Sequence, residues 1–375
     1  MGYIGQAPTD VPLTGSDLAD GIINSAKIAD GTIASVDLAA GVGGTNYSGR
    51  NDIINGGLVV NQENTTAPAD AAFTIGDLFL HNGEGTPVMS LETDGPQGTR
   101  PWQKMVLDAN AQGGLAYIVP NDTVQDYIAS GKMSFGIQLK TTAATIANAR
   151  IGVIKWTGTA DAVTKELVGT WASDGTSPTL GTSLSYENTP ANLGLTTSWA
   201  RHVVEDVTVD ADTTNIVIFV WTDDGTITAS DVIGFSEWQM NPGATVNGFS
   251  QPDTATTQKQ VERFVERWTF DTISQEATGL NGHSQTTTKR YISWPYRTLK
   301  RATPTVTGTD KATFALLTNV VLAITAGAFD AALVGRASCR LNFITGVSGN
   351  LKDGAMLLRD GTDTAWFQAD SRIGV

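Results

Sequence analysis

Met133-Ser134-Phe135-Gly136-Ile137-Gln138-Leu139-Lys140 alternates bulky apolar residues with small or polar ones at a period of two. Successive side chains of an extended chain point to opposite faces, so this stretch predicts a strand with one dry and one wet face. Similar runs occur at residues 102–107, 151–156, 202–209, 215–221 and 232–240, separated by clusters of Gly, Asp, Asn and Pro. Many short strands joined by turn chemistry predict a β-sandwich with jelly-roll strand order over residues 51–250. The fold class expected for the chain is all-β.

One helix stands out beyond the sandwich. Between residues 257 and 268, Val261, Phe264, Val265 and Trp268 recur at i, i+3, i+4 and i+7, the spacing of one helical face. That stripe either docks on the sandwich or meets copies of itself on a symmetry axis. The remainder of residues 251–375 reads as a C-terminal β region, where Ala337, Cys339, Leu341 and Phe343 alternate with Ser338, Arg340 and Asn342. Cys339 is the single cysteine, so no intrachain disulfide forms, and its place in an apolar row predicts a small core residue.

Residues 1–50 have a different character. Leu18, Ile28 and Leu38 recur every ten residues, each followed by Ala19, Ala29 or Ala39 and then by Gly21, Gly31 or Gly41. A ten-residue unit has too little apolar surface to fold alone, so it predicts an extended segment that stacks on other copies of the chain. Tyr3 and Ile4 lie in a proline-interrupted lead-in that reads as an anchor.

The formal charge is −14, with 17% charged residues. Residues 1–99 carry twelve acids against Lys27 and Arg50, whereas residues 259–301 carry eight basic residues against four acids. A chain this acidic is a poor polyanion binder, which argues against nucleic acid. The longest apolar run, residues 320–329, is half a membrane span, and the start lacks a basic region followed by an apolar core. A soluble protein without membrane insertion is expected.

Motifs for catalysis are few. His81, His202 and His283 are far apart and lack metal-ligand spacing. Gly346-Val347-Ser348-Gly349-Asn350 fails the nucleophile elbow at Asn350. The carboxylate pairs Glu205-Asp206 and Asp223-Asp224 are adjacent, and adjacent strand residues point to opposite faces. Asp206, Asp210 and Asp212 lack the glycine and terminal glutamate of a calcium loop. The expectation is a non-enzyme with no cofactor and no metal. Aromatic residues are the better lead. Trp156, Trp171, Tyr186 and Trp199 lie in or beside the sandwich strands, and flat indole faces stack on sugar rings. Trp221, at the end of a near-continuous apolar run, reads instead as core.

These pieces resemble a known family. Ser25-Ala26-Lys27-Ile28-Ala29-Asp30-Gly31-Thr32-Ile33 resembles the repeats near the start of bacteriophage tail-fibre and related virion appendage proteins. Asn51-Asp52-Ile53-Ile54-Asn55-Gly56-Gly57-Leu58-Val59-Val60-Asn61-Gln62 is similar to the entry of their carbohydrate-binding-like jelly-roll module. Trp238-Gln239-Met240-Asn241-Pro242-Gly243, with Glu262-Arg263-Phe264 and Glu266-Arg267-Trp268, resembles that module's close. Pro295-Tyr296-Arg297, Arg301-Ala302-Thr303-Pro304-Thr305-Val306 and Ala369-Asp370-Ser371-Arg372-Ile373 resemble the following strand and the usual chain end.

The resemblance implies a homotrimer in the virion, attached through Tyr3, Ile4 and the N-terminal segment to other tail or capsid proteins. Assembly would run through Leu18, Ile28, Leu38, Val261, Phe264, Val265 and Trp268. The β domains would face a host-surface glycan, with Trp171, Trp199, Tyr186 and Trp156 as ligand contacts. Three repeats are too few for a long fibre, so a short fibre fits the length. Two other readings stay open: a tailspike-type polysaccharide depolymerase, and a purely architectural tail or capsid decoration.

Overall fold

The computed structural model describes residues 49–374, apart from 143–145, 173–174, 223–226, 271–276, 311–312, 319–320, 325–330, 346–353 and 360–364. The repeat residues Leu18, Ile28 and Leu38, and Tyr3 and Ile4, therefore lie outside the described residues, as does the Asp223-Asp224 pair.

The described chain is nearly all β, and its first part is a jelly roll. Its strands are β1 (Ala72–Phe73), β2 (Phe79–Gly83), β3 (Val88–Glu92), β4 (Trp102–Val106), β5 (Gly113–Val119), β6 (Lys132–Thr141) and β7 (Asn148–Trp156). They continue with β8 (Val168–Thr170), β9 (Thr179–Leu180), β10 (Leu184–Tyr186), β11 (Leu193–Gly194), β12 (Ala200–Thr208), β13 (Asn215–Thr222) and β14 (Val232–Pro242). One sheet runs β1-β2-β5-β13-β7-β10, with β11 also on β7, and the other runs β12-β6-β14-β4-β3. The antiparallel pairs β4·β14, β5·β13, β6·β12 and β7·β11 are nested like the rungs of one long hairpin. Alternate rungs fall in alternate sheets, which is the jelly-roll wrap.

The alternation that predicts β6 has its physical counterpart in the core. Met133, Phe135, Ile137 and Leu139 are all fully buried, in one cluster with Ile216, Ile218 and Val220 of β13. The opposite side is drier than its sequence suggests. Ser134 is buried and donates to the Gly243 carbonyl at 2.9 Å. Gly136 lies under Arg201, where a Cβ would come within 2.9 Å of the guanidinium.

The entry segment is pinned by side-chain amides. Asn51 accepts from the Ile53 and Met240 amides and donates to the Trp238 and Ser250 carbonyls. Asn55 donates to the Val60 and Gly76 carbonyls and accepts from the Val60 amide. Gly56 has to be glycine, since a Cβ would stand 2.2 Å from the Trp238 carbonyl oxygen.

Among the described residues two α-helices are present where the periodicity picks out one. Helix α1 (Asn121–Ser130) is absent from the sequence expectation because only Val124 and Tyr127 are buried along it. Its anchor is Tyr127, whose hydroxyl donates to Asp52 at 2.6 Å. Helix α2 (Thr254–Glu262) is capped by Asp253, which accepts from the Thr256 amide at 3.0 Å.

The helix expected over 257–268 is corrected by the structure: it ends at Glu262, and Val265 and Trp268 stand on strand β15 (Val265–Thr269). The chain there is captured by tertiary pairing, with Val265 opposite Asp370 and Trp268 opposite Phe367. Gln62 completes the capture, donating to the Val265 carbonyl and accepting from the Arg267 amide. Val261, Phe264 and Val265 are buried in the sandwich core, and Trp268 packs on a second core. The apolar stripe thus docks on its own chain, and these three side chains have no outward face for a symmetry axis.

The second core belongs to the C-terminal strands. These are β16 (Ala277–Ser284), β17 (Lys289–Pro295), β18 (Thr305–Gly308), β19 (Phe314–Leu317), β20 (Val321–Ala323), β21 (Ala331–Ala332), β22 (Ser338–Ile344), β23 (Gly354–Arg359) and β24 (Trp366–Asp370). A sheet β20-β19-β23-β16-β17-β22-β21 accompanies a smaller one, β15-β24-β18. Trp294, Phe314, Phe367, Leu341 and Cys339 are buried in this second core.

His81 supplies a pH signature for the sandwich. Burial holds its imidazole below the usual histidine value, while its Nδ1 lies 3.1 Å from the Ala69 carbonyl. The unfolded chain binds a proton near pH ~6.5 that the folded chain refuses. The His81 contribution is therefore complete above that value and lost as pH falls toward the folded one. Thermal melts from pH 7.5 to 5.5 are expected to show a falling Tm, with a shallower fall in His81→Gln. Equal slopes in the two proteins would disprove the assignment.

Candidate functional site

The four aromatic candidates divide between the two sheets. Trp156 and Tyr186 point to the outer face of the β5-β13-β7 sheet, because their neighbours in register, Ile154 and Leu184, belong to its outer cluster. Trp171 joins them by packing on Phe219 at 6.2 Å between ring centroids, and Trp221, fully buried, stacks on Phe219 at 4.9 Å. The sequence-level assignment of Trp221 to core holds. The first three serve largely as cover for this cluster. Trp156 donates to the Thr159 carbonyl and has Gly158 against its ring, and Tyr186 donates to the Pro178 carbonyl at 3.1 Å.

Trp199 has a different setting, on the outer face of the other sheet just before β12. Its ring meets Trp102 edge-on at 5.4 Å and 80°. The Lys140 ammonium is wedged between them, 4.0 Å from the Trp102 ring centroid and 4.7 Å from that of Trp199. The local sequence builds this arrangement. Lys140 and Gly234 are partners across β6 and β14, and the bare Gly234 lets Trp102 lie across the sheet, since a Cβ would come within 2.9 Å of its ring. Trp102 is locked by its indole N–H, which donates to Asp94 at 2.8 Å and holds that carboxyl below its usual range. Trp199 itself is half-buried, between the exposed Ser198 and the start of the strand. The result is a cation–π stack ending in a partly exposed indole that is oriented before any ligand arrives. Trp102, Lys140 and Asp94 were missed at the sequence level because they come from three separate segments.

The carboxylate candidates occupy a cleft of about 400 Å³ between the sheet edges, lined by Glu187, Asn188, Glu205 and Asp206 among others. The expectation that Glu205 and Asp206 point apart fails here. A β-bulge between Val204 and Val207 interrupts the alternation, and Asp206 takes a left-handed φ of 57°. Each carboxylate nevertheless has a partner. Glu205 accepts from the Val246 amide at 2.8 Å, Asp206 lies 3.2 Å from Lys132, and Glu187 lies 3.6 Å from Lys155. Burial, reinforced by Asp210, raises the Glu187 carboxyl above its usual value. Asp210 and Asp212 both bind Lys155, at 2.6 and 3.2 Å, while Asp206 pairs elsewhere. The three histidines stand on β2, β12 and β16.

No protein-family model matches the chain, and no curated protein matches it in sequence. Among solved structures, it is similar to TmCBM61 in complex with β-1,4-galactotriose, at 12% identity and a TM-score of 0.31, over 52% of this chain and 99% of that one. It is also similar to the C-terminal family 22 carbohydrate binding module of Clostridium thermocellum Xyn10B, at 11% identity and a TM-score of 0.29, over 46% and 88%. A sugar binding protein described as such only provisionally, from Bacteroides thetaiotaomicron VPI-5482, aligns at 12% identity and a TM-score of 0.31, over 52% and 100%.

Proposed function

We propose that this chain is a non-catalytic virion appendage protein, a short tail fibre whose sandwich binds a host-surface glycan. In this reading residues 1–50 fix it to the particle and trimerise it through the decad repeats, which suits units too small to fold alone. The observation that carries the glycan-binding part is the Trp199–Lys140–Trp102 stack. An indole already held by a cation loses little freedom on meeting a sugar ring, and the ammonium beside it donates hydrogen bonds to hydroxyls. Three copies in one particle make modest single-site affinity sufficient. The sequence resemblance to tail fibres supports the virion placement, through motifs that the fold uses as structural pins.

The test is a glycan array probed with the full chain and with two variants. Trp199→Ala is expected to lose about 1–3 kcal/mol of binding, in line with the worth of an aromatic stacking partner in other ligand sites. Trp171→Ala should keep binding, because that ring covers the opposite sheet. An array on which Trp199→Ala binds as the parent does rejects the site.

A second reading has its own observation, the three carboxylates of the Glu187 cleft. A depolymerase would use the raised Glu187 carboxyl as general acid, with Glu205 or Asp206 as its partner. New reducing ends from capsular polysaccharide, lost in Glu187→Gln, would favour it over the binding role.

A further inference from the structure

The junction between the sandwich and the C-terminal strands contains a second cavity, of about 330 Å³, lined by Asn61, Gln258, Arg267, Trp268, Thr269 and Arg297. Its charges are unequally matched. Arg297 donates to Glu262 at 3.1 Å and lies over the Trp268 ring at 4.7 Å. Arg267 rests on Trp366, 4.0 Å from the ring centroid, and among the described residues no carboxylate forms an ion pair with it. Its Nε is buried without a hydrogen-bond partner. Glu63 and Asp77 act on it through space, but Glu63 is paired with Arg372, and Asp77 accepts from the Gln62 and Glu63 amides. Of the residues lining the cavity, two carry guanidinium groups and none a carboxylate; Arg297 is bonded to Glu262, and Arg267 has acids only at a distance.

An unmatched, half-buried guanidinium is expensive to keep unless something binds it. A guanidinium presents paired donors that fit a carboxylate. The rest of the wall includes Asn61, Gln62, Gln258 and Thr269. Asn61 and Gln62 bond within the protein and the Gln258 amide N–H to Glu262, while the Gln258 carbonyl and the Thr269 hydroxyl suit sugar hydroxyls. Trp268 is not the platform, because Phe367 stacks on it at 5.8 Å and Arg297 lies over it. One guanidinium without a direct carboxylate partner matches a singly charged carboxylate better than a doubly charged phosphate. We infer that this cavity binds the carboxylate of an acidic sugar, a uronic acid unit, with Arg267 as its charged anchor. The cavity is separate from the Trp199 stack and stands or falls apart from it.

The test is calorimetric titration of the full chain carrying Trp199→Ala, which removes the other proposed sugar contact, with sodium galacturonate, and with galactose and inorganic phosphate as comparison probes. Saturable heat is expected with galacturonate, none with galactose, and weaker binding of phosphate. Arg267→Gln should weaken galacturonate by about 10–100-fold, the worth of a charge-assisted hydrogen bond. Thr269→Trp, at an exposed position, fills the cavity without disturbing the junction and should abolish the heat, so the idea remains testable even if Arg267→Gln misfolds. Three results overturn the inference: no galacturonate heat up to ~10 mM, galacturonate binding that survives Thr269→Trp, or phosphate binding as tight as galacturonate.

Discussion

Glu266→Ala is expected to cost about 3–5 kcal/mol of stability, the penalty for leaving one partner of a buried ion pair alone. Glu266 and Lys300 are both fully buried and 2.7 Å apart. The same carboxylate accepts from the Arg297 amide at 3.0 Å and from the Trp268 indole N–H at 3.1 Å. The Lys300 ammonium also donates to the Glu262 carbonyl at 2.5 Å and lies 5.0 Å from the Tyr296 ring. Burial alone pulls the lysine below its usual value, and Glu266 opposes that pull. Truncation at 266 removes the only carboxylate hydrogen-bonded to Lys300 among the described residues and orphans two further donors. The double variant Glu266→Leu with Lys300→Met should recover much of the loss, since an apolar pair removes both desolvation penalties. Chemical denaturation of the three proteins decides it. A loss below ~1 kcal/mol in Glu266→Ala would place the pair among weak surface-like bridges.

Trp238→Ala is the second large effect, about 3–5 kcal/mol, as for other fully buried aromatic truncations. The ring is wholly buried, 5.0 Å from Phe79, 5.8 Å from Phe135 and 6.0 Å from Phe235. It holds both sheets at once, because Phe79 belongs to one and Phe135 and Phe235 to the other. Its backbone also receives the entry segment, accepting from Asn51 and donating to the Gly56 carbonyl. Trp238→Phe should cost less than half as much. It keeps an aromatic ring in the cluster and removes an indole N–H that has no hydrogen-bond partner. If urea titrations gave equal losses for the two variants, the retained ring would contribute nothing and the packing account of Trp238 would be wrong.

The resemblance motifs acquire a physical meaning in the fold. Gln62, Arg267 and Val265 meet at β15, and Glu262, Glu266 and Arg297 share the buried junction. The chain end joins them: Arg372 is buried, bonded to Asp370 and to the Asp77 carbonyl, and paired with Glu63. Segments some 300 residues apart in sequence are thus one structural knot. These residues report first on how the chain closes.

Several features were decided by sequence alone, because they depend on local periodicity. The alternation in β6, the apolar run of β13, the burial of Trp221 and the place of Cys339 all follow from side chains flipping at every residue of an extended chain. What neighbours do to a segment is not written locally. The 3.6-residue spacing of Val261, Phe264, Val265 and Trp268 suits a helix, yet pairing with β24 converts its second half to strand. The division of Trp171 and Trp199 between opposite sheets, and the wedging of Lys140 beside one of them, arise only when β12, β6, β14 and β4 join in one sheet. A bulge of one residue in β12 reverses the facing of Asp206 for the same reason: strand register belongs to the pair, and no single strand contains it.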